Sequence, residues 1–376
     1  MLSQDTKDKL FDQKEQFSKS DLTSRERVRY AIRHQETDRL PFDLWAAPLL
    51  WENLREAFSV PDDEAVMELF SIDMRLVLPD YIGPAPIEID ENVFINQFGS
   101  YRTTRKTPFG EYYELVRYPL AQASTVDEIL NYQFLPKKEH WNPNSVKAII
   151  EKLDRNHQTY MRYESCGIFE YAWPLFGLEN FLLRMAMDDM TLPNALMEYI
   201  TEMFIDLTLE ILQAAEGRID MVYIYDDIGT QTSLMMSVPM WKKYILPWHQ
   251  KYLKVIRDAF DVDIMYHTDG AIYPFIQPLV EDLGIDVLNP MQPKAAGMDF
   301  SRIKSEFGDR LAFHGGIDVQ DILPNDSPQQ VTEEVTRVKN ILGQNGGYIC
   351  APAHKMQADV PVENVVALFT APRALS

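Results

Sequence analysis

The sequence predicts an α/β chain folded as a closed (β/α)8 TIM barrel, with a small β insertion and a polar N-terminal helical arm. Short apolar runs rich in β-branched and aromatic residues alternate with longer amphipathic segments, the pattern of parallel strands with helices outside. Roughly eight such units occur in one chain of 376 residues, which suits a closed barrel better than an open doubly wound sheet. No glycine-rich dinucleotide loop, phosphate-binding loop or solenoid-length repeat competes with this reading.

Residues 1–22 are polar and charged, with isolated apolar positions at Leu10, Phe11 and Phe17. They read as a frayed helix or arm outside the core, and residues 23–376 as one barrel domain. Thr23-Ser-Arg-Glu26 fits a capping box before a periodic helix that includes Val28 and Ile32. Strands are predicted at 40–45, 74–79, 160–164, 221–225, 262–266, 286–289, 311–314 and 347–350. A helix beginning at Leu192 should stop at Gly217, and Ser327-Pro328 should open one that ends near Gly343. Ser237-Val-Pro239 opens another, which Pro247 is expected to kink. The runs Val93-Phe-Ile-Asn, Tyr101-Arg-Thr-Thr and Tyr112-Tyr-Glu-Leu-Val-Arg read instead as antiparallel ribbons, an insertion over the barrel mouth.

Composition narrows the partners. A formal charge of −21 opposes broad contact with nucleic acid phosphates and with anionic membrane surfaces. Two cysteines, Cys166 and Cys350, make no disulfide framework. No run approaches the roughly 18 apolar residues of a membrane span, and the first residues lack the apolar segment of a secretion signal. A reducing cytoplasm, a small-molecule substrate and, as the commonest assembly, a homodimer are expected.

Barrel enzymes carry their reactive groups at the C-terminal ends of strands, and most of these strands end in polar or titratable residues. They are Asp80; Glu164; Asp226 and Asp227; His267 and Asp269; His314; and His354, just beyond the last strand. Carboxylates crowded in a low-dielectric mouth persist only with cations, shared protons or hydrogen bonds. His267 and Asp269, two residues apart beyond a strand, can project to one side, with His354 as a third ligand and a fourth position open. That is the donor set of a catalytic zinc site. Blander roles compete: a structural hydrogen bond for His314, a turn cap for Asp226 and Asp227, an inert buried thiol for Cys350. His34, His140, His157 and His249 are assigned to solvated faces.

At these residues the chain resembles the uroporphyrinogen decarboxylase superfamily, and more closely its cobalamin-linked methyltransferase branch. The marks run from about Thr23 onward: Ser24-Arg-Glu-Arg-Val, Asp38-Arg-Leu-Pro41, Asp226-Asp-Ile-Gly-Thr-Gln231 and His267-Thr-Asp-Gly270. Asn289-Pro-Met-Gln-Pro293, Phe313-His-Gly-Gly-Ile-Asp318, Ala351-Pro-Ala-His354 and Pro361-Val-Glu-Asn364 complete the set. The resemblance implies a (β/α)8 barrel and methyl transfer from a small methoxylated or methylated substrate to a corrinoid on a partner protein. It places Asp80, Asp227 and His354 in catalysis, and Trp45, Asp226, Gln231 and His314 against substrate. Two departures stand out. The arginines that hold carboxylates in the decarboxylases are missing from Trp45-Ala-Ala-Pro-Leu-Leu50, which argues against a porphyrinogen. The branch's two zinc thiolates are replaced by Asp269 and His354, giving a harder metal site that favours an oxygen-bearing donor. An acid–base decarboxylase or lyase on the same barrel, and a ligand-binding barrel without catalysis, remain the alternative readings.

Overall fold

The computed structural model describes residues 10, 20–90, 92–154 and 158–371. Its strands in chain order are β1 (Met74–Val77), β2 (Asp80–Tyr81), β3 (Ile87–Asp90), β4 (Val93–Ile95), β5 (Tyr101–Thr107) and β6 (Gly110–Arg117). They continue as β7 (Trp141–Asn142), β8 (Tyr160–Glu164), β9 (Met221–Tyr225), β10 (Asp263–His267), β11 (Val287–Met291), β12 (Ala312–Ile317) and β13 (Tyr348–Pro352). Seven of them pair in parallel in the order β1-β8-β9-β10-β11-β12-β13.

The eighth stave is the segment 40–46, and it closes the barrel without being a regular strand. Phe42 and Ala46 form parallel bridges to Cys350 and Met356. The Cys350 N–H donates to the Pro41 carbonyl, and the Asp43 N–H returns to the Cys350 carbonyl, each at 3.0 Å. On the other side the Asp73 N–H donates to the Phe42 carbonyl at 2.9 Å. The ladder is broken for local reasons. Pro41 has no N–H to give, and the Asp43 carboxylate takes the Leu44 N–H at 2.9 Å.

Period-two alternation splits the strands between two cores. Inward residues Met74, Tyr160, Met221, Met265, Val287, Ala312 and Ile349 fill the barrel, and Val28 and Ile32 of the helix Ser24–Ile32 plug its base. Their neighbours Met161, Val222, Ile224, Tyr266, Leu288 and Phe313 face the helices. The base is tied by Asp73, whose carboxylate accepts from Arg27 Nη1 (2.7 Å), from Arg39 Nη1 and Nη2 (2.8 Å each) and from Ser24 Oγ (2.8 Å). It also takes the Phe42 N–H at 2.9 Å. One buried carboxylate thereby joins the plug helix, the irregular stave and β1.

Between β1 and β8 the chain leaves the barrel to form the antiparallel sheet β3-β4-β5-β6 and the short pair β2-β7. Three of these strands lie where antiparallel ribbons are predicted; β3 alternates as Ile-Glu-Ile-Asp with all four residues exposed and lies outside those runs. Phe98, in the turn before β5, stacks on Tyr171 at 4.2 Å between centroids, which anchors the insertion beside the mouth.

Capping behaves as expected at Thr23, Ser237 and Ser327. Pro247 does not kink a helix: one ends at Tyr244 and the next, Leu246–Ala259, begins with Pro247 in its first turn, where the missing N–H costs nothing. That break turns His249 inward to full burial, not to a solvated face. Of the predicted arm before Ser20, only Leu10 is described, as a helical and buried residue; the rest, like His157, lies outside the described residues. Among the described residues no helix is long and apolar enough to cross a membrane.

Removing the Asp73 carboxylate would take away the anion that buried Arg27 and Arg39 share, with Asp38 still paired to Arg27. Asp73→Ala is therefore expected to cost about 3–5 kcal/mol in urea denaturation, and a loss below about 1 kcal/mol would contradict the tie.

Candidate active site

Above the apolar layer, the same alternation brings Arg162, Tyr223, His267, Asn289 and His314 inward, with Asp43 from the irregular stave. Asp43, Arg162, Tyr223 and His267 line a cavity of about 390 Å³ walled further by Trp45, Trp51, Glu164, Glu170, Tyr225 and Asp227, with His354 at its edge, while Asn289 and His314 lie beneath it. A closed barrel offers these polar groups little water, so they must satisfy one another.

Asp43 begins the chain of contacts. Its Oδ2 accepts from Trp45 Nε1 at 2.6 Å and from His314 Nε2 at 3.1 Å, with Arg162 Nη2 at 3.7 Å. Burial opposes its charge, but Arg162 and the two donors outweigh burial and hold its pKa at about 2. Burial pushes His314 below its ordinary 6.5, against the pull of Asp43, so its ring is neutral and has one N–H. With Nε2–H committed to Asp43, His314 Nδ1 accepts from Asn289 Nδ2 at 2.6 Å. The Asn289 amide is thereby oriented, and its Oδ1 accepts from His267 Nδ1 at 2.6 Å. His267 Nε2 is left with a bare lone pair facing the mouth.

That lone pair looks onto carboxylates. Asp227 Oδ1 and Asp269 Oδ2 each lie 3.9 Å from His267 Nε2, and His354 Nε2 lies 3.8 Å from Asp269 Oδ2. Donor atoms of His267, Asp269 and His354 all fall within 4.8 Å of one another. Asp269 Oδ1 is buried without a hydrogen-bond partner among the described residues, as suits an atom kept for a cation. Burial raises the Asp269 pKa, with the two histidines opposing, and lowers that of His354 below 6.5, with Asp269 opposing. Asp227 is fixed by the Asp269 N–H, which donates to its Oδ1 at 2.8 Å. Gly270 lets these loops meet: at φ +96° a Cβ there would lie 2.4 Å from the Thr230 carbonyl oxygen.

A second acid stands opposite. Glu170, in the first turn of the helix Ile168–Phe176, accepts from the Asp227 N–H at 3.4 Å. Burial, then the charges of Asp227 and Asp226, push it well above its ordinary 4.5. Gly167 permits that helix to start here, since a Cβ would meet the Tyr225 ring and carbonyl at 2.6 Å.

Comparison with known proteins places this architecture. A family model described as uroporphyrinogen decarboxylase (URO-D) matches residues 171–375, more than half of the chain. The chain belongs to the uroporphyrinogen decarboxylase family. No curated protein matches it. Among solved structures, a methyltransferase from Methanosarcina mazei is 17% identical over 93% of this chain and 98% of its own, with a TM-score of 0.64; the likeness is one of fold. A B12-independent methionine synthase from Shewanella sp. W3-18-1, in complex with selenomethionine, is 10% identical over 89% of this chain and 91% of its own, with a TM-score of 0.42.

Within this member of the uroporphyrinogen decarboxylase family, the structure brings together His267, Asp269, His354, Asp227 and Trp45 and moves four expected residues away. Asp80 is exposed on β2, its N–H held by Ser145 Oγ, because the chain turns into the insertion there. Asp226 is fully buried and accepts from the Phe169 and Glu170 N–H groups (3.1 and 2.7 Å) and from His249 Nε2 (2.6 Å). It caps the helix that carries Glu170 and, fully buried, does not line the cavity. Gln231 is exposed and donates to Gln292 Oε1 at 3.2 Å, which in turn takes the Gly270 N–H at 2.8 Å, so it braces a loop. His314 lies beneath the floor, in the relay. Cys350 is fully buried inside β13, and the rim position belongs to His354.

Arg162, Glu170 and Asp43 escaped the strand-end search. Arg162 and Asp43 had a signal nonetheless, as charged residues inside predicted buried strands. The charge held on Asp43 makes a pH-dependent contribution of about 2 kcal/mol. It is present above pH 3.8, the ordinary value, and lost as pH falls through about 2. The stability gap between the native chain and Asp43→Asn should narrow by that amount over this range in urea titrations.

Proposed function

We propose that this chain is a methyltransferase that takes a methyl group from a small methoxylated substrate and passes it to a corrinoid carried by a partner protein. The observation that carries the reading is the His267–Asp269–His354 cluster at the edge of an aromatic-walled cavity, with the Glu170 carboxyl, its pKa raised by burial, also lining that cavity. Three nitrogen and oxygen donors with no thiolate suit a divalent metal, zinc foremost, and leave a position for an oxygen ligand. A zinc ion held there would act as a Lewis acid toward the substrate oxygen.

The chain's own groups supply the rest. In demethylation the carbon–oxygen bond breaks, the methyl group leaves for the acceptor without that electron pair, and the oxygen takes up a proton. Glu170, kept protonated by burial beside Asp227 and Asp226, is the donor for that proton. Asp227, bound to the Asp269 N–H, links the proton site to the metal site. The Asn289 carbonyl holds His267 in the tautomer with Nε2 toward the rim, an outer contact of the kind that sharpens ligand orientation. A lyase using Glu170 and Asp227 alone is the second reading, favoured by the raised Glu170 pKa, and it differs in needing no metal.

Elemental analysis of the purified chain should find zinc, with most of it lost in His267→Ala and His354→Ala and affinity weakened about 10–100-fold in Asn289→Ala. Metal retained in both histidine variants would sink the ligand set. Methyl transfer from a panel of methyl ethers to reduced cobalamin should be detectable spectroscopically and disappear on chelation. Activity that survives chelation would favour the lyase reading. Glu170→Gln should slow transfer about 10²–10⁴-fold while leaving the metal content unchanged.

A further inference from the structure

We infer that Arg162 grips a carboxylate of the substrate at the floor of the cavity, so that the methyl donor is a methoxylated aromatic monocarboxylate. The methoxy part rests on the methyltransfer proposed above; the carboxylate grip stands on geometry alone.

Arg162 points into the barrel from β8, is 4% exposed and lines the cavity. Its guanidinium has five N–H donors, yet among the described residues it makes no side-chain hydrogen bond, and its Nε is buried without a partner. Asp43 balances the charge from 3.7 Å but lies beyond hydrogen-bond distance of the guanidinium. Its Oδ2 already takes Trp45 and His314, and its Oδ1 takes the Leu44 N–H. Charge is therefore matched while the donors are not, and buried donors normally find an acceptor.

The surroundings say which acceptor. The guanidinium lies over the Trp45 ring at 4.4 Å and the Tyr223 ring at 5.2 Å. The rings give π contacts and no oxygen acceptor, so the N–H fork remains for a carboxylate, which meets it with two coplanar oxygens. Trp51 and Tyr225 also line the cavity and suit an aromatic body. Glu164 and Asp227 line it too and would repel a second anionic group, which limits the ligand to one carboxylate. The decarboxylases' clamps are absent from the segment after Trp45, so this arginine comes from a different element.

The test is calorimetric titration of the full chain with 4-methoxybenzoate and its neutral isostere 4-methoxybenzamide. The native chain should bind the acid at least about tenfold more tightly than the amide. Arg162→Gln should erase that margin with amide affinity unchanged, and Arg162→Lys should restore part of it. Equal binding of acid and amide by the native chain, or binding of neither, overturns the grip, as does a preference that persists in Arg162→Gln. Should Arg162→Gln fail to fold, the native acid-to-amide ratio decides alone. Arginine-dependent binding without methyl transfer would overturn the methyltransfer reading and leave the grip intact.

Discussion

The carboxylate of Asp43 sits where water scarcely reaches and still carries its charge, because Trp45, His314 and Arg162 converge on it. Everything above it inherits an orientation from that anion. Its acceptance of the His314 Nε2–H leaves Nδ1 as an acceptor, which turns the Asn289 amide and so places the proton of His267 on Nδ1. A ring that would be free to choose a tautomer in water has only one here, with its lone pair at the mouth. The relay spans the irregular stave, β12, β11 and β10, so the chemistry at the rim and the closure of the barrel are a single arrangement.

The rim is organised by a second set of contacts of the same kind. Asp226, buried with His249, caps the helix that bears Glu170. Asp227 is tied to the backbone of Asp269, and Gln231 and Gln292 hold the loop that follows. Neighbouring aspartates thus divide the labour: one is spent on structure and the other faces the cavity. The result is a mouth with two chemically distinct sides, a His–Asp–His donor cluster and a carboxyl whose pKa burial and neighbouring like charges raise.

Much of this was legible in the chain. All eight staves were visible as apolar runs, because strands covered on both faces must be apolar, although three of them reach two or three residues further than the runs suggested. The ribbons at β4, β5 and β6 were visible in the chain, whereas β3 alternates over only four residues, Ile-Glu-Ile-Asp, too short a run to stand out. His267, Asp269 and His354 could be found because they sit at or just beyond strand ends, where a barrel puts its chemistry. Asp80 obeyed the same rule and still falls outside the cavity, since the chain there turns away into the insertion.

Local sequence, then, determined the barrel, its caps and the residue types gathered at its mouth, for these depend on periodicity and on which groups resist burial. Only the tertiary structure decided which of those residues meet. Whether Asp226 or Asp227 faces the cavity depends on a helix that starts at Ile168 and offers Asp226 the N–H of Phe169, 57 residues earlier in the chain. Whether Arg162 is an internal salt bridge or a group still short of acceptors depends on Asp43 Oδ2, the oxygen nearest it, being already taken by Trp45 and His314. Hydrogen-bond satisfaction is a property of neighbours in space, and the chain brings these together from distances no local pattern records.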